Sequence, residues 1–126
     1  MLKPLSLLCF SLLLAGCLRD ESITGYAGGV WLLDRTNATG IDSTAEVTLD
    51  PTSRGQISGR GPCNSYSATQ TAPYPWFEPG PIASTRAACP ELAAEQVYLV
   101  TLSRMRLAEV SGPVLILSND AGETLE

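Results

Sequence analysis

The N-terminal stretch MLKPLSLLCFSLLLAGC constrains everything that follows it, because residues 5–14 are almost entirely apolar. A helix needs about 20 such residues to cross a bilayer, so the run is too short to span one. With Lys3 ahead of it and small residues after it, the run reads as the apolar region of a secretory signal. The chain is therefore expected to fold after export, in an oxidising compartment. Removing residues 1–16 from the 126 leaves 110, one domain's worth of chain.

The run ends Leu14-Ala15-Gly16-Cys17. Small residues let the chain lie extended in a peptidase cleft, and the cysteine behind them offers a thiol for acylation. The segment resembles the lipobox of bacterial lipoproteins. That resemblance implies diacylglycerol on the Cys17 thiol and usually a third chain on its amine. Each buried methylene contributes about 0.8 kcal/mol, so two or three chains anchor essentially irreversibly. Leu18 follows, not the aspartate that retains lipoproteins at the inner membrane. In a Gram-negative cell this implies a lipid-anchored envelope protein at the outer membrane, facing the periplasm. Residues 17–26 are expected to form the lipidated N-terminus and a polar tether, and residues 27–126 the domain.

Loss of Lys3 leaves seven basic side chains against thirteen acidic ones, a net charge of −6. This argues against a nucleic-acid partner, which calls for a basic patch, and against docking of the protein surface on anionic lipid. Histidine is absent. Its absence removes the commonest general base, the usual Ser-His-Asp and Cys-His arrangements and most zinc sites. No metal or cofactor is expected.

Of the four cysteines, Cys9 departs with the leader and Cys17 is assigned to lipid, leaving Cys63 and Cys89. One pair in an oxidising compartment defaults to a disulfide, which would stabilise the fold by about 3 kcal/mol if unstrained. Two free thiols remain an alternative. So does a metal or reactive pair, since Arg60 and Arg86 each lie three residues from a cysteine and could lower a thiol pKa.

Residues 29–34 read as a first strand with Trp31 and Leu33 on one face, and residues 45–50 as a second with Val47 and Leu49 together. Residues 56–58 resume a strand that Gly59-Arg60-Gly61-Pro62 breaks, and residues 63–70 run extended. Pro73, Pro75, Pro79 and Pro81 bar a central strand through TAPYPWFEPGP. Its aromatics Tyr74, Trp76 and Phe77 form either a binding lip or a plug for the core. Pro90 and Glu91 open a helix to about residue 103, with Tyr98, Leu99 and Leu102 in one stripe. Glu95 falls on that stripe, where a carboxylate must reach water or find a partner; Arg86 is the candidate partner. Residues 105–110 and 114–118 read as a hairpin, and residues 124–126 begin a last strand. Strands, one helix, then strands indicate an α+β fold with a mostly antiparallel sheet.

The segments GRGPCNSYSA, IASTRAACPE, EQVYLVTL and GPVLILSNDAGETL, in that order, resemble the META domain, or HslJ-like, family. The shared positions are Trp31, Gly59 to Tyr66 with Asn64, Thr85 and Arg86 through Cys89, Glu95 to Leu102, Leu115 to Leu117, and Asp120 to Gly122. Pro62, Ala68 and Ala87 depart from the common pattern, at positions that affect a turn or a core contact rather than the fold. The resemblance covers residues 27–125. It implies a small curved, mostly antiparallel sheet partly wrapped on one helix. It also implies a secreted or lipid-anchored protein linked to stress, drug resistance, motility or virulence, with no general catalytic activity.

The leading functional expectation is a non-enzymatic envelope protein that binds a protein partner or an apolar ligand. One alternative is a small inhibitor of an envelope-directed hydrolase such as a lysozyme-type enzyme, whose approach the negative charge would assist. Another is a chaperone resembling the pilots of secretin pores. An enzyme working with two carboxylates could draw on Asp34, Glu46, Asp50, Glu78 and Glu95, but their spacing selects no pair.

Overall fold

The computed structural model describes residues 19–126, so Cys17 and the leader lie outside the described residues. The strands are β1 (Trp31–Leu32), β2 (Thr48–Leu49), β3 (Gln56–Arg60), β4 (Ser65–Thr69) and β5 (Ala83–Ser84), then β6 (Leu107–Ser111), β7 (Val114–Ser118) and β8 (Thr124–Leu125), with helix α1 (Leu92–Ser103) between β5 and β6. They pair antiparallel as β1-β2, β3-β4-β5 and β6-β7-β8.

Short bridges join these pieces. Asp50 and Ser58 exchange backbone hydrogen bonds of 2.6 and 3.0 Å, linking β2 to β3. Asp34 and Arg35 N–H donate to the Glu126 carbonyl at 2.7 and 3.0 Å, and Glu126 N–H returns one to Arg35 at 2.8 Å, linking β1 to β8. The spatial order becomes β5-β4-β3-β2-β1-β8-β7-β6. This is an α+β fold built on one curved, interrupted antiparallel surface.

Alternation along the strands builds the core. Ile57, Tyr66, Ala68, Ala108, Leu115 and Leu117 point inward, and burying each large aliphatic side chain stabilises by about 1.5–3 kcal/mol. The helix turns Ala94, Glu95, Tyr98, Thr101 and Leu102 to the same interior, at helical spacing.

The proline-rich loop has a structural task. Phe77 N–H donates to the Arg106 carbonyl at 2.9 Å and Ala108 N–H to that of Pro75 at 2.8 Å, so the loop covers the outer edge of β6. At its other end Gly80 N–H donates to the Thr69 carbonyl at 2.8 Å. A bare strand edge invites pairing with other chains; prolines can run beside it without extending the sheet themselves.

Three boundaries differ from the sequence reading. The first two strands shrink to two residues each, although Leu33 N–H still donates to Val47 at 2.9 Å. Strand β3 continues through Gly59 to Arg60 rather than breaking after Ser58. A Cβ at Gly59 would collide with the Thr48 carbonyl, so the glycine admits a neighbouring strand instead of ending its own. The packed region also starts before residue 27. Ile23, in a short 3₁₀ turn, and Ala27 are fully buried, and Tyr74 N–H donates to the Glu21 carbonyl at 2.7 Å. The expected tether is thus shorter than residues 17–26.

Candidate functional site

Two places in the fold collect the residues that sequence singled out. The first lies between the N-terminal half of α1 and the turn before β4. Cys63 and Cys89 are joined there in a disulfide, with Cα atoms 5.8 Å apart. It ties the entry of β4 to the segment leading into α1. Beside it Glu95 is buried, so neither expectation for this carboxylate holds. It does not snorkel to water, and Arg86, which is exposed, is not its partner. The Cys63 and Asn64 backbone N–H groups each donate to Glu95 Oε2 at 2.6 Å, and Asn64 Nδ2 donates to Oε1 at 2.6 Å. The turn delivers backbone dipoles in place of a cation. Gly61 permits the approach, since a Cβ there would stand 2.8 Å from Oε2.

Asn64 is in turn fixed in one orientation. Its Oδ1 accepts from Thr85 Oγ1 at 2.9 Å and from Ala87 N–H at 2.7 Å, while Nδ2 also donates to the Ala87 carbonyl at 3.0 Å. Burial alone would raise the Glu95 carboxyl pKa. The hydrogen bonds from the Asn64 side chain and the Cys63 and Asn64 backbone outweigh it, with Arg60 adding a smaller attraction, and hold the carboxyl below its ordinary value. Deeper in, Tyr66 Oη donates to the Thr48 carbonyl at 2.6 Å, which leaves Tyr98 to donate to Tyr66 at 2.8 Å. Burial pushes both phenols upward, that of Tyr98 to about 12. These groups have spent their hydrogen-bonding capacity on one another.

The remaining carboxylates are scattered. Asp34 is exposed beside Arg35, Glu46 and Glu78 are exposed, and Asp50 is occupied by Thr52 within its own turn. Among the described residues no group of three or more His, Cys, Asp or Glu side chains is placed to hold a metal ion. Asn37, the asparagine of an Asn-Ala-Thr triplet, clamps the chain end: it donates to the Gly122 carbonyl and accepts from Thr124 N–H, each at 2.8 Å.

The second place is an apolar pocket of about 140 Å³ where β1 and β2 face β7 and β8. Trp31, Leu33, Val47, Leu115 and Leu117 line it, and the Tyr98 ring reaches it from the helix. At its mouth Leu32 is 58% exposed and Val114 38% exposed. Arg35 and Glu126 pair at 2.8 Å on the rim. The Trp31 indole N–H is shielded from solvent yet has no acceptor among the described residues. Leaving such a donor unpaired costs about 1–3 kcal/mol.

The three aromatics of the proline-rich loop separate. Phe77 is fully buried and belongs to the core, which corrects its place in a binding lip. Trp76 is 54% exposed. Tyr74 is half-buried, accepts from Val110 N–H at 3.0 Å and stacks on Tyr26.

The profile of the META domain matches residues 23–126, nearly all of the described chain. The chain belongs to the META domain family. Its match begins at the buried Ile23, in keeping with the early start of packing. An NMR structure of a protein from Burkholderia xenovorans superposes on this META domain with a TM-score of 0.59 at 25% identity, covering 86% of this chain and 81% of that one. No curated protein matches the chain.

Sequence reasoning reached Trp31, Asn64, Tyr66, Thr85, Arg86 and Glu95 as markers of the META domain; the fold uses Asn64, Thr85 and Glu95 in a single hydrogen-bonded group and leaves Arg86 exposed outside it. It did not reach Pro113, Val114 and Leu32 at the pocket mouth. The only signal for the pocket was the alternation around Trp31.

Proposed function

We propose that this META domain protein is a non-enzymatic, lipid-anchored envelope protein that receives an apolar group in the Trp31 pocket. The group is a side chain of a protein partner or a small apolar ligand, and the setting is stress response or envelope maintenance. One observation carries the reading: the pocket has an apolar lining of Trp31, Leu33, Val47, Leu115 and Leu117 and a mouth at which Leu32 and Val114 stay exposed, with the Arg35–Glu126 pair on its rim. Pockets of this composition favour ligands with an apolar body and one polar contact. The polar group around Glu95 supports the non-enzymatic part, since its donors and acceptors already satisfy each other.

Envelope anchoring rests on the Leu14-Ala15-Gly16-Cys17 segment. Mass spectrometry of the N-terminal peptide from membranes should find acyl chains on Cys17, and Cys17→Ser should release the protein from the membrane fraction. For the pocket, photo-crosslinking from position 32 in intact envelope should capture a partner or ligand. Crosslinks only from positions remote from the pocket would count against this reading. The net charge of −6 that loss of the leader with Lys3 would leave favours a second reading, inhibition of a basic envelope-directed hydrolase. Unchanged lysis rates on adding the domain would remove that reading for the enzyme tested.

A further inference from the structure

Among the described residues, three of the five exposed large hydrophobic side chains outside the pocket, Tyr26, Trp76 and Leu107, lie along one edge of the domain, while Val30 and Val100 do not belong to it. Trp76 sits on the proline-rich loop, directly opposite Leu107 on β6, and both are exposed, at 54% and 41%. Tyr74 extends along the same edge until its hydroxyl meets Val110 N–H. Tyr26 stacks on Tyr74 with ring centroids 4.3 Å apart and is itself 41% exposed. From position 107 to position 110 of a strand is about 10 Å, so the Trp76–Leu107 pair and the Tyr26–Tyr74 pair sit within about 10 Å of each other along the β6 edge.

The N-terminus leaves beside this edge. The Arg19 guanidinium lies over the Tyr26 ring, 5.5 Å from its centroid. Only Leu18 separates Arg19 from Cys17, and two extended residues reach about 7 Å at most. A lipid on Cys17 therefore enters its bilayer at the end of the domain where residues 21–22 run beside Pro73 and Tyr74. A domain held on so short a leash cannot turn an arbitrary face to the membrane.

We propose that the ledge of Tyr26, Tyr74, Trp76 and Leu107 rests in the headgroup layer of the membrane that holds the Cys17 lipid. This rests on the lipid-anchored reading above. Tyrosine and tryptophan favour that layer, where an apolar body and a polar tip are both accommodated. Arg19 is exposed beside the ledge and suits a lipid phosphate, while the Arg106 guanidinium is turned to the Ser103 and Met105 carbonyls; Glu21 and Glu109 stand beside the ledge too. With the mature chain at net −6, a zwitterionic leaflet fits better than an anionic one. The lipid supplies the attachment, so weak contacts suffice to set orientation at the high local concentration a short tether creates.

The chain has two tryptophans, Trp31 in the pocket and Trp76 on the ledge. The test uses the mature lipidated protein in phosphatidylcholine vesicles carrying brominated acyl chains. Tryptophan emission should be quenched, and Trp76→Phe, at an exposed position, should abolish most of that quenching while flotation with vesicles is retained. Trp31→Phe should leave the quenching in place. Flotation without quenching of Trp76 overturns the ledge proposal and leaves the anchor standing. Trp76 shielded from aqueous iodide but unquenched by lipid means that a second protein copy covers the ledge, which also overturns it. Failure to float overturns anchor and ledge together.

Discussion

The Glu95 centre and the Trp31 pocket both contain residues that family resemblance marks, yet they are built on opposite principles. Around Glu95 a buried charge is matched by the Cys63 and Asn64 amides and the Asn64 side chain, and a disulfide closes the turn that carries them. Around Trp31 the lining is apolar, the mouth is open and a donor lacks an acceptor. The contrast teaches that titratable, sulfur-bearing residues need not mark the place where a protein acts. Here they occupy a region where each group meets a partner, and the space left over is an apolar recess.

Substitutions should separate the two. Glu95→Ala orphans the Cys63 and Asn64 amides and the Asn64 side chain, and should cost about 4 kcal/mol, at about 1–3 kcal/mol for each unpaired buried donor. Glu95→Gln should cost less, about 2 kcal/mol. Its oxygen can serve the two backbone amides, but its nitrogen then faces Asn64 Nδ2, which the Ala87 contacts prevent from flipping. Urea denaturation checks both, and a loss under about 0.5 kcal/mol for Glu95→Ala would break the account of this centre.

Cys63→Ala with Cys89→Ala, or reduction, should lower stability by about 3 kcal/mol. Alkylation before and after reduction checks the bond itself: both thiols labelled beforehand would mean it is absent. Occupancy of the pocket by an apolar probe should survive the loss.

Acid should narrow the difference between wild type and Glu95→Gln. The folded-state pKa of Glu95 lies below its ordinary 4.5. The carboxylate's stabilisation is thus fully present above that value and is lost as the pH falls through the lower folded value. Denaturation curves from about pH 7 to about pH 3 should converge. Asp20, Asp50 and Glu91, also held low by hydrogen bonds led by Ser22, Thr52 and Thr44 respectively, act in both proteins and drop out of the comparison. Curves that stay parallel would show that Glu95 does not titrate as described.

The smallest stability effect should come at the pocket mouth. Leu32→Asp, at an exposed position, should change stability by under about 0.5 kcal/mol and still weaken binding of an apolar probe.

Alternation and helical spacing made much of the framework legible. Val47 and Leu49, the Tyr98–Leu102 stripe and the final hairpin all fall where periodicity places them. The disulfide followed from compartment and cysteine count. Glu95 was legible as a buried carboxylate in need of partners, but sequence offers only charges as partners, and Arg86 was the nearest. Backbone amides carry no letter of their own; they became its ligands because the 61–64 turn presents them. Phe77 and Trp76 could not be told apart because pairing with β6, rather than composition, decides which ring faces inward. The pocket was least legible, since β1, β2, β7 and β8 meet there from distant parts of the chain.

A titration of the ¹⁵N-labelled protein with a small apolar hydrogen-bond acceptor tests the central claim most directly. The spectrum contains two indole N–H signals, and Trp76 serves as the internal control. The account predicts a saturable shift of the Trp31 indole together with the amides of Leu33, Leu115 and Leu117, while Trp76 and the Asn64 side chain stay still. A Trp31 signal unmoved at saturating probe, or shifts centred on Asn64 and Glu95, would contradict it.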